Sequence, residues 1–204
     1  MTEHYVTTMA QLEAMYAQPM ETSLLKELDH IGPHYRALIE SSPFVALATV
    51  GPEGLDCSPR GDPAGFVRVA DEKTLLIPDR RGNNKIESLK NLVEDPRIGL
   101  IFFVPGANET YRVNGRARIS ADMDLRRRFT VNGKEPTTVM VVEVKQAFQH
   151  CPKALVRSDL WQAGSRGRPQ GVPTLGDFAA ACFPETDGAA YDAAYAQRIP
   201  NELY

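Results

Sequence analysis

The sequence predicts a mainly β domain, built as an antiparallel barrel of about six short strands with helices packed outside it. Two observations support this fold class. Runs of apolar and β-branched residues alternate with hairpin-like turn signals, and only one or two helical patterns interrupt them. There is no internal repeat and no low-complexity tract. The predicted strands span residues 44–50, 55–69, 73–79, 97–105, 109–120 and 137–144.

Two helices are predicted ahead of the barrel, over residues 8–18 and 31–41. Pro33 falls in the first turn of the second helix, where proline is tolerated. His30 and His34 are four residues apart, a spacing that can place two metal ligands on one helix face. The helix start at Pro33 separates them, however, so the sequence predicts solvated histidines and no metal site.

An amphipathic helix is predicted after the third strand, because apolar residues recur there at helical spacing and Pro96 limits the pattern. Its apolar stripe consists of Ile86, Leu89, Leu92 and Val93. A second helix is predicted over residues 121–129, with Ser120 or Asp122 as its N-cap. The arginine run of this second helix is expected to face solvent.

The last third of the chain changes in character. It contains a predicted helix over residues 149–161, a basic loop over 163–173, and two further helical stretches, TLGDFAAACF and AAYDAAYAQRI. This tail is too apolar to be disordered and too short to form a domain. The sequence therefore predicts an N-terminal helical extension (1–42), a barrel domain (43–148) and a C-terminal helical segment (149–204) that packs on the barrel or on a second subunit.

Composition excludes several classes of protein. The 204 residues carry a net charge of −3 with a pI near 5.8, whereas a general nucleic-acid binder needs a broad basic face. The three cysteines form no CxxC pair, so neither a disulfide framework nor a zinc ribbon is predicted. No segment approaches the roughly 20 apolar residues of a membrane helix, and the N-terminal residues lack the apolar run of a signal peptide. We therefore expect a cytoplasmic protein that does not bind membranes.

The stretch IPDRRGNNKIESLKNL, residues 77–92, concentrates cations at the start of a predicted helix. A helix N-terminus already carries partial positive charge, so further cations there are unfavourable unless an anion binds among them. Arg80, Arg81 and Lys85 therefore indicate a bound phosphate, with a solvated turn as the alternative. Because Arg80 and Arg81 are adjacent, their side chains should diverge, and at most one is expected to face the phosphate.

A further arginine, Arg60, lies in the interrupted strand 55–69. If this segment and 73–79 are neighbouring strands, Arg60 comes near the cations of the turn and can bind phosphate oxygens bidentately. Asn84 could cap the helix or donate to the same phosphate. Neither GxxxxGK nor GxGxxG occurs, so the phosphate is not predicted to belong to ATP or to NAD on a Rossmann fold.

These residues resemble a known family. The arginine in the second strand and the turn DRRGNNKIESLKNL are similar to the FMN-binding split-barrel proteins related to pyridoxamine 5′-phosphate oxidase. The blocks HCPKALVRSDLW and VPTLGDF resemble one uncharacterised subgroup of them, and the resemblance covers roughly residues 30–185. It implies a six-stranded antiparallel split β-barrel with flanking helices, FMN as the cofactor, and a homodimer with the flavin sites at its interface.

The resemblance also implies contacts of individual residues with the flavin. The phosphate would be held by Arg60, Arg81 and Lys85, with Arg80 and Asn84 close by. The ring system would lie against the backbone at the end of the third strand, formed by Ile77, Pro78 and Asp79.

Further contacts are implied from later in the chain. Thr110 stands where the oxidase subgroup carries a glutamine that touches the flavin, which is a departure from the family pattern. The partner's segment 150–161 would close the site, with Lys153, Arg157 and Trp161 as candidates, although a tryptophan at a helix end more often anchors an interface or the core. The arginine-rich substrate motif of the oxidases themselves is absent, so vitamin B6 chemistry is not implied.

The sequence thus predicts an FMN-dependent oxidoreductase that acts on a small molecule, and it singles out no catalytic acid or base. Two alternatives stay open. One is a non-catalytic flavin-binding protein that serves storage or sensing. The other is a split barrel that binds haem or a deazaflavin instead. The expected partners are a second copy of the chain and a small-molecule substrate, with neither nucleic acid nor a membrane among them.

Overall fold

The computed structural model, which describes residues 4–204 except the side chain of Thr22, is organised around one seven-stranded sheet. The strands are β1 (Phe44–Gly51), β2 (Gly54–Gly61), β3 (Arg68–Asp71), β4 (Thr74–Asp79), β5 (Arg97–Phe103), β6 (Thr110–Ser120) and β7 (Thr138–His150). They run in the order β2–β1–β5–β6–β7–β4–β3, and every neighbouring pair is antiparallel. With helices flanking the sheet, this architecture confirms the mainly β split-barrel fold.

The sheet has seven strands instead of about six because the interrupted segment 55–69 forms two of them. Pro63 and Gly65 lie between β2 and β3, and each disfavours a continuous strand through this segment. Proline has no N–H to donate to a ladder, and Gly65 has a φ of +88°. As a result β2 pairs with β1 at one edge of the sheet, whereas β3 pairs with β4 at the other edge.

Short helices surround the sheet. They are α1 (Met9–Met15), α2 (Glu21–Leu24), α3 (Pro33–Ser41), α4 (Glu87–Glu94), α5 (Met123–Arg127), α6 (Lys153–Ser158), α7 (Leu160–Ser165), α8 (Leu175–Cys182) and α9 (Gly188–Arg198). Pro33 starts α3, as predicted, and α1 is shorter than the predicted 8–18. Of the two predicted caps of α5, Asp122 is the one used, since its side chain accepts a hydrogen bond from the Leu125 N–H at 2.7 Å.

The single helix predicted over residues 149–161 is wrong. β7 continues to His150, because its last residues stay paired with β6, with Thr110 opposite His150. The helical part then divides into α6 and α7 at Asp159, whose φ of 50° is left-handed and interrupts a regular helix. Residues 1–3 of the predicted N-terminal extension lie outside the described residues.

The predicted apolar stripe of α4 is only partly correct. Ile86 is 49% exposed because it precedes the helix as its N-cap residue, and Val93 is 76% exposed. The buried face of α4 is formed by Ser88 and Leu92 instead, and Leu89 is half-buried against the core. This face packs against β1, so the helix is held at the side of the barrel and the loop before it stays accessible.

The core lies between the inner face of the sheet and the helices α3 and α4. Its largest fully buried side chains include Tyr111, Phe102, Ile39 and Leu47. Within residues 4–204, no helix combines the length and the apolar character needed to cross a bilayer.

Candidate functional site

A cleft of about 840 Å³ opens where the ends of β2 and β4 approach each other. Of the predicted site residues, Arg60, Pro78, Asp79, Arg80, Arg81 and Asn84 line it. The segment 55–69 does supply a neighbour of 73–79, because β3 pairs with β4, but Arg60 lies in β2, which pairs with β1. The coiling of a twisted sheet brings the ends of β2 and β4 together across the barrel instead.

Arg80 is engaged by the protein itself. Its Nε donates to Asp62 Oδ2 at 2.6 Å, and its Nη1 donates to the carbonyl oxygen of Phe129 at 2.6 Å. The side chains of Arg80 and Asp62 are only 16% and 3% exposed. Arg80 therefore forms a buried ion pair that ties the end of β4 to the loop after β2.

Arg81 and Arg60 are in a different situation. Arg81 is exposed at the cleft and makes no side-chain hydrogen bond or ion pair with any residue in the range 4–204. Arg60 donates only to the carbonyl oxygen of its own neighbour Pro59, at 2.9 Å. Of the two adjacent arginines in the turn, Arg80 is therefore structural, whereas Arg81 is free to bind a ligand. Arg60 brings a second such guanidinium from β2.

Asp79 is the acidic group beside these cations. Burial raises the pKa of its carboxyl above the ordinary value, and the positive charge of Arg60 lowers the pKa by part of that amount. Removal of a carboxylate from water disfavours its charged form. Asp79 therefore neutralises less of the positive charge of Arg60 and Arg81 than a solvated aspartate would.

Asp79→Asn is expected to raise the free energy of unfolding at pH 7. With a raised pKa the folded state holds a proton more tightly than the unfolded chain, so this contribution to stability is fully present below the ordinary carboxyl pKa of about 3.9 and is lost as pH rises through the folded-state value. Because asparagine does not titrate, the advantage of the variant should fade as pH falls to about 4. Urea unfolding of both proteins across this pH range measures the difference, and a variant less stable than the parent at pH 7 contradicts the assignment.

The loop between β4 and α4 has an unusual backbone. Asn84 has a φ of 60° and Ile86 a φ of 50°, and the left-handed conformation is markedly unfavourable for a β-branched residue. The side chain of Asn83 supports the loop by accepting a hydrogen bond from the N–H of Lys85 at 3.0 Å. At Gly82, no atom lies within 4 Å of where a Cβ would be, so the backbone there is open to a ligand.

The family model of pyridoxamine 5′-phosphate oxidase matches residues 31–151, which is more than half of the chain. The chain belongs to the pyridoxamine 5′-phosphate oxidase family. No curated protein matches its sequence.

Several solved structures are similar in fold to this family member. HupZ from Group A Streptococcus is 19% identical with a TM-score of 0.49, covering 58% of this chain and 93% of its own. A putative pyridoxamine 5′-phosphate oxidase from Lactobacillus delbrueckii is 20% identical with a TM-score of 0.48, covering 60% and 98%. An FMN-binding protein from Syntrophomonas wolfei is 15% identical with a TM-score of 0.45, covering 57% and 83%.

The sequence did not reveal that Tyr204 forms one wall of the cleft in this oxidase-family chain. Tyr204 lies there, where its hydroxyl donates to Asp62 and its carbonyl oxygen accepts from Lys134 Nζ at 2.7 Å. The Arg80 guanidinium lies 5.6 Å from the centre of the Tyr204 ring. Lys134 and Tyr204 are 70 residues apart, so no local sequence pattern could have revealed this contact.

Arg126 also lines the cleft, contrary to the expectation that the arginine run of α5 faces solvent. Its Nε donates to the carbonyl oxygen of Pro136 at 2.8 Å, and its side chain is 28% exposed. Leu125 and Phe129 turn inward at i, i+4 spacing and pack together, and this spacing could have shown that Arg126 lies beside the buried face.

The remaining predicted site residues lie elsewhere in the chain. Ile77 is fully buried in the core, and Lys85 is exposed and does not line the cleft. Thr110, Lys153, Arg157 and Trp161 lie at or beyond the far end of the β6–β7 ladder. There the indole N–H of Trp161 donates to the carbonyl oxygen of Ala107 at 2.7 Å, which anchors α7 to the loop before β6. One chain therefore does not bring these four residues to the cleft.

Proposed function

We propose that this protein binds FMN in the cleft and uses it for redox chemistry on a small molecule. The observation that supports this most is that the guanidinium groups of Arg60 and Arg81 face one cleft and form no ion pair with a carboxylate in residues 4–204, although Asp79 lies near Arg60. Free arginine forks are suited to the bidentate binding of phosphate oxygens. The chain has a net charge of −3, so this concentration of cations is local.

The residues of the cleft fit a flavin phosphate. The volume of about 840 Å³ lies in the range of sites for small molecules and cofactors, about 300–1,000 Å³. Asn84 adds an amide donor near Arg81, and the open backbone at Gly82 permits close approach. Lys85, in the same loop, adds positive charge, and its direct contact with the phosphate stays a prediction.

The proposed division of labour follows from this donor set. Arg60 and Arg81 hold the phosphate, while the end of β4 at Pro78 and Asp79 provides a rigid edge for the ring system. When bound, FMN supplies the electron-transfer chemistry, and the protein supplies position and electrostatics. We also propose that the protein works in the cytoplasm.

The site is proposed to be completed by a second copy of the chain in a homodimer. The tail helices expose several large apolar side chains, which a partner surface would cover. They include Val156 (59% exposed), Leu160 (42%), Phe178 (59%) and Phe183 (68%). In such a dimer, Thr110, Lys153, Arg157 and Trp161 of one subunit would approach the cleft of the other.

The absorption spectrum of the purified protein tests the cofactor directly. We expect the visible bands of an oxidised flavin, and mass spectrometry of the material released on denaturation should give the mass of FMN. A haem or deazaflavin spectrum would contradict the proposal in favour of the other ligands. If the flavin is present but no reductant and acceptor turn it over, the non-catalytic alternative is supported instead.

A further inference from the structure

A second group of polar side chains lies at the end of the β6–β7 ladder that is distant from the cleft. Arg112 is paired with Phe148 across the ladder, and the next rung on the same face pairs Thr110 with His150. Successive residues of a strand face opposite sides of the sheet, so these four side chains share the face opposite to the buried Tyr111. They form what we call the Arg112 cluster.

The Arg112 guanidinium has no counter-ion among the described residues. Its Nε is buried and makes no hydrogen bond, and no carboxylate in residues 4–204 forms an ion pair with it. The central guanidinium carbon lies 4.0 Å from the centre of the Phe148 ring. This stacking partly compensates the charge but uses none of the five N–H donors of the arginine.

Glu27, an acid that contacts this face, is engaged by another side chain. Glu27 Oε2 accepts from Gln146 Nε2 at 2.8 Å, and Gln146 Oε1 accepts from Asn114 Nδ2 at 2.8 Å. Asn114 and Gln146 form the rung adjacent to Arg112 on the same face. The amide pair therefore engages Glu27, which forms no ion pair with Arg112.

The neighbouring side chains complete a set of donors around this cation. The ring centres of His150 and Phe148 are 4.7 Å apart. Burial lowers the pKa of His150, and the charge of Arg112 lowers it further, so the imidazole is neutral near pH 7 and can donate one hydrogen bond. Thr110, only 7% exposed, adds a hydroxyl that makes no hydrogen bond with the described side chains.

We propose that the Arg112 cluster is an anion site that binds the carboxylate or phosphate group of a small molecule. Arg112 supplies the charge and the fork, His150 and Thr110 supply directed donors, and Phe148 packs against the apolar part of the ligand. The rungs Thr110–His150 and Ser120–Val139 are separated by roughly 30 Å of strand at about 3.3 Å per residue, so within one chain this site is distinct from the cleft. In the proposed homodimer Thr110 would approach the partner's cleft, so the place of this anion site beside the flavin rests on the proposed function, whereas the binding test below needs no flavin in the cleft.

The site can be tested by titrating the protein with succinate and with inorganic phosphate while the histidine ring resonances are observed by NMR. The chain has four histidines, so the His150 signals can be assigned with the variant His150→Gln. We expect at least one probe to shift the His150 signals saturably and to leave those of His34 in place. Arg112→Gln should weaken this binding at least tenfold, whereas Arg118→Gln, an exposed arginine of the same strand, should not change it.

Arg112→Lys provides a second test if the glutamine variant folds poorly, since it keeps the charge but loses the fork and should still weaken binding severalfold. Two results would overturn the proposal. One is that the parent protein shows no saturable response to either probe, and the other is that the Arg112 variants bind the probes as tightly as the parent. If the first result comes together with dissociation of a dimer by Arg112→Gln in light scattering, Arg112 is an ion-pair partner of a second copy instead.

Discussion

Arg60→Ala and Arg81→Ala are each expected to weaken FMN binding by at least an order of magnitude. Each removes a guanidinium that faces the cleft and forms no ion pair with a carboxylate in residues 4–204. A charge-assisted hydrogen bond contributes about 1.5–3 kcal/mol, and about 1.4 kcal/mol already corresponds to tenfold in affinity. Fluorescence titration of the apoprotein with FMN measures the change.

Arg127→Ala is the matched control for these two variants. Arg127 is 58% exposed, pairs with Asp124 on the surface of α5, and does not line the cleft. Exposed pairs contribute about 0–1 kcal/mol, so this variant should bind FMN as the parent does. Parental FMN affinity in both Arg60→Ala and Arg81→Ala would show that the cleft does not hold the phosphate and that these arginines are merely solvated.

Asp62→Asn is expected to destabilise the protein by about 3–5 kcal/mol, because it leaves the buried guanidinium of Arg80 without its counter-ion. The same carboxylate accepts the hydroxyl of Tyr204, so the substitution also loosens the wall of the cleft that this tyrosine forms. Urea unfolding should show a lower midpoint at an unchanged slope.

Asp124→Asn serves as the comparison, since it removes a surface ion pair. The side chain of Asp124 is 89% exposed and that of its partner Arg127 is 58% exposed. The effect of this substitution should stay below about 1 kcal/mol. If Asp62→Asn changes the unfolding midpoint no more than Asp124→Asn does, the Asp62–Arg80 pair is not an important stabilising contact, and Arg80 would be available for ligand binding instead.

Local patterns predicted most of the secondary structure. β1, β4, β5 and β6 begin and end close to the predicted bounds, because each is a short apolar run with a turn signal or a helix on either side. The breaks at Pro63 and Gly65 were also visible, although not the resulting second strand. β7 runs to His150 instead of ending at residue 144. Pairing with the long β6 stabilises its last residues as a strand, although their own sequence pattern is helical.

The candidate site was predictable only where its residues are close in sequence. The turn containing Arg80, Arg81 and Asn84 could be read directly, and the adjacency of the two arginines indicated that they would face different ways. Arg60 also lines the cleft, but sheet curvature and not strand pairing brings it beside the turn, so the argument from neighbouring strands does not explain its position.

Contacts between distant segments had no local signal. Asp62 engages both Arg80 and Tyr204, which is 142 residues away, and no spacing rule connects them. Arg112 is a second example, because only the pairing of β6 with β7 shows that its buried Nε has no hydrogen-bond partner. Sequence patterns report which face of an element is buried, whereas the choice of partners depends on the assembled fold.

The central claim is that the cleft holds the phosphate of FMN, and the ratio of FMN to riboflavin affinities of the parent protein tests it most directly. The two ligands share the ring system and differ in the phosphate, so the ratio isolates the contribution of Arg60, Arg81 and their neighbours. We predict that FMN binds at least tenfold more tightly than riboflavin, which corresponds to about 1.4 kcal/mol or more. Equal affinities for the two ligands would contradict the account.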